Sequence, residues 1–307
     1  MTARVLQTTI SHPVNLSGVG IHCGQPATVR IVPAGADHGI VFRRARGGAD
    51  TIRADVAHIG ATDHCTTLVG DGWSVATVEH LLAALSGLEI DNALVEIDGP
   101  EVPAMDGSAA PFFEALDQAG IETLDAPRHF IRVTRAIRVE LGRAAAEFRP
   151  GAQRRFEVEL DFANPVVGRQ TYAADLSPDL FRRDIGPART FGFLAEAQAL
   201  WSRGFALGAS LDNALVVGDG HIVNPDGARF ADEFARHKAV DAIGDLALAG
   251  APILGTFHTH RGGHSLHALA LKTLLATPDA YEILEQPAPR FGRLAGFSAA
   301  VYGPAVS

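Results

Sequence analysis

The chain has 307 residues, is 47% hydrophobic and 20% charged, and carries a formal net charge of −9. This composition excludes a disordered chain, because there is enough apolar material to bury a core. The negative charge argues against a nucleic-acid-binding protein, which needs a basic surface, and against electrostatic docking to anionic lipid. The length suits one large domain or two ordinary ones.

Signals for export or membrane insertion are not found in the sequence. The N-terminal residues lack the apolar core of a signal peptide, and no apolar run reaches the roughly eighteen residues of a membrane-spanning helix. Two cysteines, Cys23 and Cys65, are too few for a disulfide framework or a Cys-type zinc site. We therefore expect a cytoplasmic protein with no nucleic-acid partner and no stable membrane insertion. The lack of a coiled-coil repeat favours a monomer.

The first third of the chain is predicted to be rich in β-strands. Segments with β-branched residues and partial alternation are VLQTTI, ATVRIVPA and GIVFRRA, and TTLVGDGWSVAT predicts two short strands around a tight turn. The apolar segment TVEHLLAALSG then predicts a helix with Thr77 as its N-cap and Gly87 just after its end. The strand NALVEI and a second helix, capped by Ser108, follow it.

Residues 122–129 are predicted to be a linker, after which the order of elements repeats. Strand-like segments precede a long helix over residues 230–249, the strand PILGTFHTH and the closing helix HSLHALALKTLLA. His80 and Gly87 have the same spacing as His237 and Gly244. We therefore favour an α+β fold of two similar layers, residues 1–125 and 126–307, over a coincidence between two amphipathic helices. Helix starts from two facing layers would meet at one cleft.

The long helix of the second half carries a polar stripe. His237, Asp241 and Asp245 recur every four residues, which places them on one face of a helix, while Val240 and Leu246 take the other side. An imidazole and a carboxylate at positions i and i+4 can bind one metal ion such as Zn²⁺, although a third protein ligand is then needed. The alternative is a solvent-facing ion pair.

The first helix of the chain begins with a Glu-His pair in front of an otherwise apolar segment. Glu79 complements the helix dipole, which would be a sufficient structural reason for it. His80, before so apolar a run, is expected to face the core or a cleft and is a candidate for the third metal ligand. Glu79 would then lie close to a water molecule at the metal and act as its general base.

A third polar segment, RGGHSLH, spans residues 261–267. Gly262 and Gly263 free the backbone before a helix start, where N–H groups can hold an anion, and Arg261 adds positive charge. His264 is the group that can change its charge there near neutral pH, although a plain helix-terminal residue is the alternative. His258 and His260 share one strand face and are interpreted as structural or surface residues.

Five separated motifs, in order, closely resemble the zinc-dependent UDP-3-O-acyl-N-acetylglucosamine deacetylases of lipid A biosynthesis. They are SGVGIHCGQPATVRIVPA, TVEHLLAALSGLEIDNALVEIDGPEVPAMDGSAAPF, RTFGF, DEFARHKAVDAIGDL and GGHSLH. The resemblance runs from about Ser17 to about Leu275. It implies a β-α-α-β sandwich of the two layers, with the helices inside and the site at the junction. It also implies that a βαβ-like insert near residues 191–223 shapes a passage for the acyl chain.

The resemblance also implies the roles of individual residues and the ligands. The zinc ligands would be His80, His237 and Asp241. Glu79 would be the general base, and His264, oriented by Asp245, the cationic acid that helps the amine leave. Thr190 would lie near the oxyanion that develops during the reaction, and Lys238 and Phe191 would contact the substrate. The substrate would be UDP-3-O-(3-hydroxyacyl)-N-acetylglucosamine, and two imidazoles with one carboxylate would also accept Fe²⁺.

Two departures from the family pattern are present. The last motif is usually Ser-Gly-His-Ala-Leu-Asn, whereas this chain has Gly-Gly-His-Ser-Leu-His over residues 262–267, so that His267 replaces the Asn. The second departure is that His258 and His260 stand where family members do not both have His, and this pair predicts a weak second metal site that excess zinc would occupy. Phe162, after a strand, is a candidate for stacking on the uracil base, and Arg261 for binding substrate.

Three other functions compete with this interpretation. One is a different metal-dependent amidase or deacylase with the same ligands. Another is a non-catalytic binder of nucleotide sugars, which would need neither Glu79 nor His264. The third is a structural protein with a solvated polar stripe, which leaves unexplained why His80 opens so apolar a helix.

Overall fold

The computed structural model describes residues 5–46 and 50–285. These residues form helices and strands in the following order along the chain: β1 (Leu6–Ile10), β2 (Val14–Val19), β3 (Pro26–Pro33), β4 (Ile40–Arg44), β5 (Thr51–Arg53), β6 (Leu68–Gly70), β7 (Trp73–Val75), α1 (Glu79–Gly87), β8 (Ala93–Ile97), α2 (Ala110–Ala119), β9 (Ile121–Pro127), β10 (Phe130–Val133), β11 (Ile137–Leu141), β12 (Ala144–Arg149), β13 (Arg154–Asp161), β14 (Arg169–Asp175), α3 (Pro178–Leu180), β15 (Phe191–Phe193), α4 (Ala197–Ser202), β16 (Leu215–Val217), α5 (Glu233–Ala247), β17 (Ile253–His260), α6 (His264–Leu275) and β18 (Tyr281–Leu284).

The first layer is a five-stranded sheet in the order β2-β3-β8-β4-β5. All neighbouring strands are antiparallel except β4 and β8, which are parallel. On β3, Ala27, Val29 and Ile31 are buried and alternate with more exposed residues. This period of two is what a strand with one face on the core requires.

The second layer repeats this pattern around β17. Strand β12 pairs with it antiparallel on one side and β13 parallel on the other, and β11 and β14 extend the sheet antiparallel at the two edges. Strands β10 and β18 continue the sheet from the first residues of β17. Each central strand, β8 or β17, follows one helix and precedes another, as expected for two similar layers. The α+β fold class predicted from the sequence is confirmed.

The helices α1 and α5 pack against each other in the interior. Nearly every residue of both is buried, polar side chains included, because the two helices are covered on all sides. They cross closely at Gly244, where a Cβ atom would collide with the carbonyl oxygen of Glu79. Glycine at this position therefore brings the start of α1 against the middle of α5.

Several boundaries differ from the sequence predictions. Residues 122–129 are not a linker, because Ile121–Pro127 forms β9 and pairs antiparallel with β1. Thr77 does not cap α1: its φ is 58°, and its hydroxyl donates to the buried carboxylate of Glu101. Gly87 lies inside α1 rather than after it. The N-cap of α2 is Ala109 rather than Ser108, although the hydroxyl of Ser108 accepts a hydrogen bond from the N–H of Ala110.

The long helix is shorter than predicted and spans Glu233–Ala247. Between Phe191 and Val217, strands β15 and β16 are parallel and α4 lies between them, within the predicted insert at 191–223. The division of the chain into residues 1–125 and 126–307 stays a prediction, and β9 runs across that boundary. Among residues 5–46 and 50–285, no helix has the length and apolar character needed to cross a membrane.

Candidate active site

Three predicted metal ligands meet where α1 crosses α5. His80 comes from the first turn of α1, while His237 and Asp241 occupy successive turns of α5. The Oδ1 atom of Asp241 lies 3.5 Å from Nε2 of His80 and 3.3 Å from Nε2 of His237. All three side chains are buried, and their ligand atoms lie within 4.8 Å of one another. The polar stripe of α5 therefore faces the other layer, not solvent.

The chemistry of these three side chains fits a divalent transition metal. The Nδ1 atom of His237 lies 3.0 Å from the carbonyl oxygen of Ala188, which leaves its Nε2 for a metal ion. Burial lowers the pKa of His80, so its imidazole is neutral. Burial alone would raise the pKa of Asp241, but Lys238 and His237 hold it well below its usual range. Two imidazoles and a carboxylate are the donor set that Zn²⁺ and Fe²⁺ accept.

Glu79 precedes the first of these ligands and is also buried. Its Oε2 accepts a hydrogen bond from the N–H of Thr66 at 3.0 Å, and its Oε1 lies 3.8 Å from Nε2 of His264. Burial raises the pKa of Glu79 to about 7, against the opposing effect of His264. A carboxylate with a pKa near the working pH is suited to accepting and returning a proton.

His264 opens α6 and faces Glu79 from the second layer. Its Nδ1 lies 2.8 Å from Oδ2 of Asp245, whose Oδ1 accepts a hydrogen bond of 2.6 Å from the hydroxyl of Thr66. Burial alone would lower the pKa of His264, but Asp245 and Glu79 raise it to about 10. The imidazole is therefore a cation at neutral pH, and its Nε2 is the ring nitrogen on the side of Glu79.

These groups line one cleft between the layers, with about 1680 Å³ of empty space including its open mouth. Its lining includes the polar side chains of Glu79, His80, Asp241 and His264, and several side chains of the insert, most of them apolar. A second cavity lies near the C-terminal ends of α1 and α5, where Arg154 donates to the carbonyl oxygen of Ser86, and it holds none of these acid–base groups.

The predicted oxyanion and substrate residues of the third and fourth motifs lie along the same cleft. Thr190 precedes β15 and is held by a hydrogen bond of 2.7 Å from its N–H to the carbonyl of Gly107. The ring of Phe191 packs on Phe234, and the ammonium of Lys238 lies 5.5 Å from its centroid. The same ammonium donates to Oδ2 of Asp241 at 2.9 Å, so Lys238 reaches both the metal ligands and the substrate cleft.

Phe162 and Arg261 also line the cleft, and the side chain of Arg261 is 32% exposed. The ring of Phe162 packs edge to face on Phe191, with 5.9 Å between the centroids, so it already has an aromatic partner within the protein. Arg261 pairs with Asp161 and has a φ of 54°. Its guanidinium is thus held at the edge of the cleft next to Phe162.

His258 and His260 lie on the opposite face of β17 from the helices. They alternate with the buried Phe257 and Thr259, and Nδ1 of His260 lies 3.4 Å from a carboxylate oxygen of Glu159. No group of three or more close metal-ligand side chains in the described part of the chain includes either histidine. A weak second metal site at this pair stays a prediction.

The sequence interpretation gives no role to three residues of the site. Thr66 lies in the loop before β6 and connects Glu79 to Asp245 through its N–H and its hydroxyl, and nothing in its local sequence indicates this. His22 lies in the first motif and lines the cleft, next to the ring of Phe205. His267 contacts Asp245 and was noted as a departure from the family motif; its i, i+3 spacing from His264 indicates that both share one helix face.

Comparison with known proteins agrees with this geometry. The model of the UDP-3-O-acyl N-acetylglycosamine deacetylase family matches residues 7–276. Curated proteins named UDP-3-O-acyl-N-acetylglucosamine deacetylase from Brucella melitensis biotype 2 (strain ATCC 23457) and Brucella ovis (strain ATCC 25840 / 63/290 / NCTC 10512) are each 53% identical over 281 residues. Each alignment covers 91% of this chain and 98% of the relative. The resemblance of the five motifs is confirmed, and the chain belongs to the UDP-3-O-acyl N-acetylglycosamine deacetylase family.

Proposed function

We propose that the protein hydrolyses the N-acetyl group of UDP-3-O-(3-hydroxyacyl)-N-acetylglucosamine, releasing acetate and the free 2-amino sugar. This is the committed step of lipid A biosynthesis. The observation that carries the proposal is the meeting of Glu79 and His264, from opposite layers and 3.8 Å apart, beside three buried metal-ligand side chains. An amide hydrolase needs a base for water and an acid for the leaving amine.

The metal would be held by His80, His237 and Asp241. We propose Zn²⁺ as the resident ion, with Fe²⁺ as the other ion that suits these donors. A divalent ion at this position would supply Lewis acidity toward a carbonyl oxygen and a water molecule. Lys238, bonded to the second oxygen of Asp241, keeps that ligand ionised and oriented.

Glu79 takes the proton from the attacking water. The N–H of Thr66 fixes its Oε2, so its Oε1 is the oxygen directed at His264 and the cleft. The carbonyl carbon becomes tetrahedral, and the hydroxyl of Thr190 and the cationic His264 stabilise the negative charge on its oxygen. These donors come from different elements, and the backbone N–H of Thr190 and the Nδ1 of His264 are already hydrogen-bonded within the protein.

His264 then donates its Nε2 proton to the departing nitrogen. Asp245 at its Nδ1 keeps the imidazole in the required orientation and favours the imidazolium form. The C–N bond breaks, the nitrogen leaves as the free amine of the sugar, and the acyl part leaves as acetate.

The remaining substrate contacts are proposed from the lining of the cleft. Phe191 and Lys238 lie nearest the metal ligands and are suited to the glucosamine and its polar groups, and Phe162 and Arg261 at the edge to the uridine diphosphate. The acyl chain would lie along the apolar side chains that the insert contributes: Phe193, Leu200, Ala206 and Ala209. We further propose that the enzyme is a cytoplasmic monomer, in line with its charge and its two cysteines.

Acetate release from UDP-3-O-(3-hydroxyacyl)-N-acetylglucosamine tests the function. We expect activity in the purified protein, loss after chelation and recovery with one equivalent of Zn²⁺. Glu79→Gln, which keeps the shape but not the charge, should retain the metal and lose about 10²–10⁴-fold in kcat. A near-full rate in metal-loaded Glu79→Gln would remove the base role from Glu79.

Two negative outcomes separate the competing functions. Stoichiometric metal without acetate release would favour another amide substrate. If neither activity nor metal is found, but the nucleotide sugar binds, the protein is a non-catalytic binder.

A further inference from the structure

The carboxylate of Asp245 accepts more hydrogen bonds than are needed to orient one imidazole. Its Oδ1 accepts from Thr66, while its Oδ2 lies 2.8 Å from Nδ1 of His264 and also 2.8 Å from Nδ1 of His267. The second imidazole comes from the position where the family motif usually has Asn. Asp245 belongs to α5, and His264 and His267 belong to α6. The hydrogen bonds of this cluster therefore connect the two helices beside the cleft.

We propose that His267 is a positioning residue of the deacetylase reaction, which holds the Asp245 carboxylate in the orientation that presents Oδ2 to His264. This proposal rests on the proposed function. His267 itself does not line the cleft, whereas His264 does, so any effect on catalysis has to pass through Asp245 and His264.

The surroundings of His267 fix which nitrogen carries its hydrogen. Asp245 is ionised, because His264 and His267 together hold its pKa below the usual range even though burial opposes this. A carboxylate accepts, so Nδ1 of His267 must donate. Its Nε2 faces Gly262, where a Cβ would lie only 2.9 Å away, and finds no hydrogen-bond partner within the described residues. The ring therefore acts on Asp245 through its Nδ1–H alone.

The ring of His267 has little freedom to move. It is 1% exposed, and Phe257 of β17 packs edge to face on it with 5.6 Å between the centroids. The groups that face it are Asp245 from α5, His264 from its own helix and Phe257 from β17. A rigid donor of this kind restricts rotation of the Asp245 carboxylate about its Cβ–Cγ bond. Because this carboxylate orients His264, the imidazole of His264 is then held closer to its productive position.

Two matched variants separate the donor from the bulk of the ring. In His267→Asn the amide nitrogen takes the place of Nδ1, whereas in His267→Gln it takes the place of Nε2, away from Asp245. We expect His267→Asn to keep kcat within about threefold, and His267→Gln and His267→Leu to lose about 10–100-fold with KM nearly unchanged. Metal content per chain should be equal in all of them. Leu274→Val, a buried change elsewhere on α6, should lower the thermal midpoint without a comparable loss of kcat.

A double-mutant cycle tests whether the effect passes through His264. In the His264→Ala background, His267→Leu should cause no further loss of rate. Full activity in His267→Leu would overturn the proposal. So would equal losses in the Asn and Leu variants that follow their thermal midpoints, because these would mean that His267 only packs. Absence of activity in the parent protein with metal bound would instead reject the proposed function on which this inference rests.

Discussion

The side chains of Glu79 and His264 gain their chemistry from burial and from each other. Burial raises the pKa of Glu79 to about 7, and the neighbouring carboxylates raise that of His264 to about 10 against the effect of burial. The form that can catalyse has Glu79 ionised and His264 protonated. A bound cation favours the carboxylate and disfavours the imidazolium. The pKa values of Glu79 and His264 in the metal-loaded enzyme should therefore be equal to or lower than those given above.

The pH dependence of kcat/KM should therefore be bell-shaped. Activity should rise as Glu79 loses its proton, at or below pH about 7, and fall as His264 loses its proton, at or below pH about 10. Initial rates of acetate release across this range, at constant ionic strength, would measure both limbs. His264→Ala, assayed alongside, should lose the alkaline limb with most of the rate. An alkaline limb that survives in that variant would assign it to another group.

Some individual residues of the site can be predicted from the sequence, and others cannot. His237, Asp241 and Asp245 follow from helical periodicity, because one helix fixes their spacing. Thr66 does not, because its two contacts join elements 13 and 179 residues away in the chain and leave no local pattern. The roles of the cleft residues Thr190 and Phe191 came from the family motifs, since a single Thr or Phe has no chemical signature of its own.

The crossing of α1 and α5 is the element-level feature on which the site depends. A Cβ atom at Gly244 would collide with the main chain of Glu79, so Gly244→Ala should push α1 away from α5. We expect a loss of about 1–3 kcal/mol in the free energy of unfolding, as for other overpacked cores. Both kcat and metal content should fall as well, because Glu79 and His80 move with α1.

Thermal unfolding, bound metal and kcat measured on the same preparation would test this. Gly35→Ala is the control, because no atom lies near its added methyl group. A Gly244→Ala protein with the stability and metal content of Gly35→Ala would show that the crossing tolerates the extra atom.

Elements with strong local signals were predicted, and elements defined by distant partners were not. The helices around His80, His237 and His264 follow from apolar periodicity, and their ends differ by a few residues. The linker predicted over residues 122–129 is wrong, because these residues include most of β9, although Asp and Pro are rare in strands. This segment is a strand because β1, more than a hundred residues earlier, offers it an edge, and such a pairing cannot be read from local composition.

The whole molecule places one site between two layers of matching topology. Glu79 and His80 come from the layer around β8, and the other ligands and the acid from the layer around β17, so neither layer can assemble the site alone. The equal spacing of His80–Gly87 and His237–Gly244 predicts two similar layers. The facing of the two helix pairs came from the family resemblance, because periodicity does not say which apolar face meets which.

A metal ion bound across this junction should stabilise the whole fold. An ion that binds the folded chain alone adds RT ln(1 + [M]/Kd), about 2.7 kcal/mol at a free concentration of 100 Kd. Chelation should therefore lower the thermal midpoint, and Zn²⁺ should restore it. The chelated protein should still unfold cooperatively, because one apolar core continues through both layers. His80→Ala, in the first layer, and His237→Ala, in the second, should each abolish the zinc-dependent rise. If Zn²⁺ restored activity but left the midpoint of the parent unchanged, the ion would not be bridging the layers through these side chains.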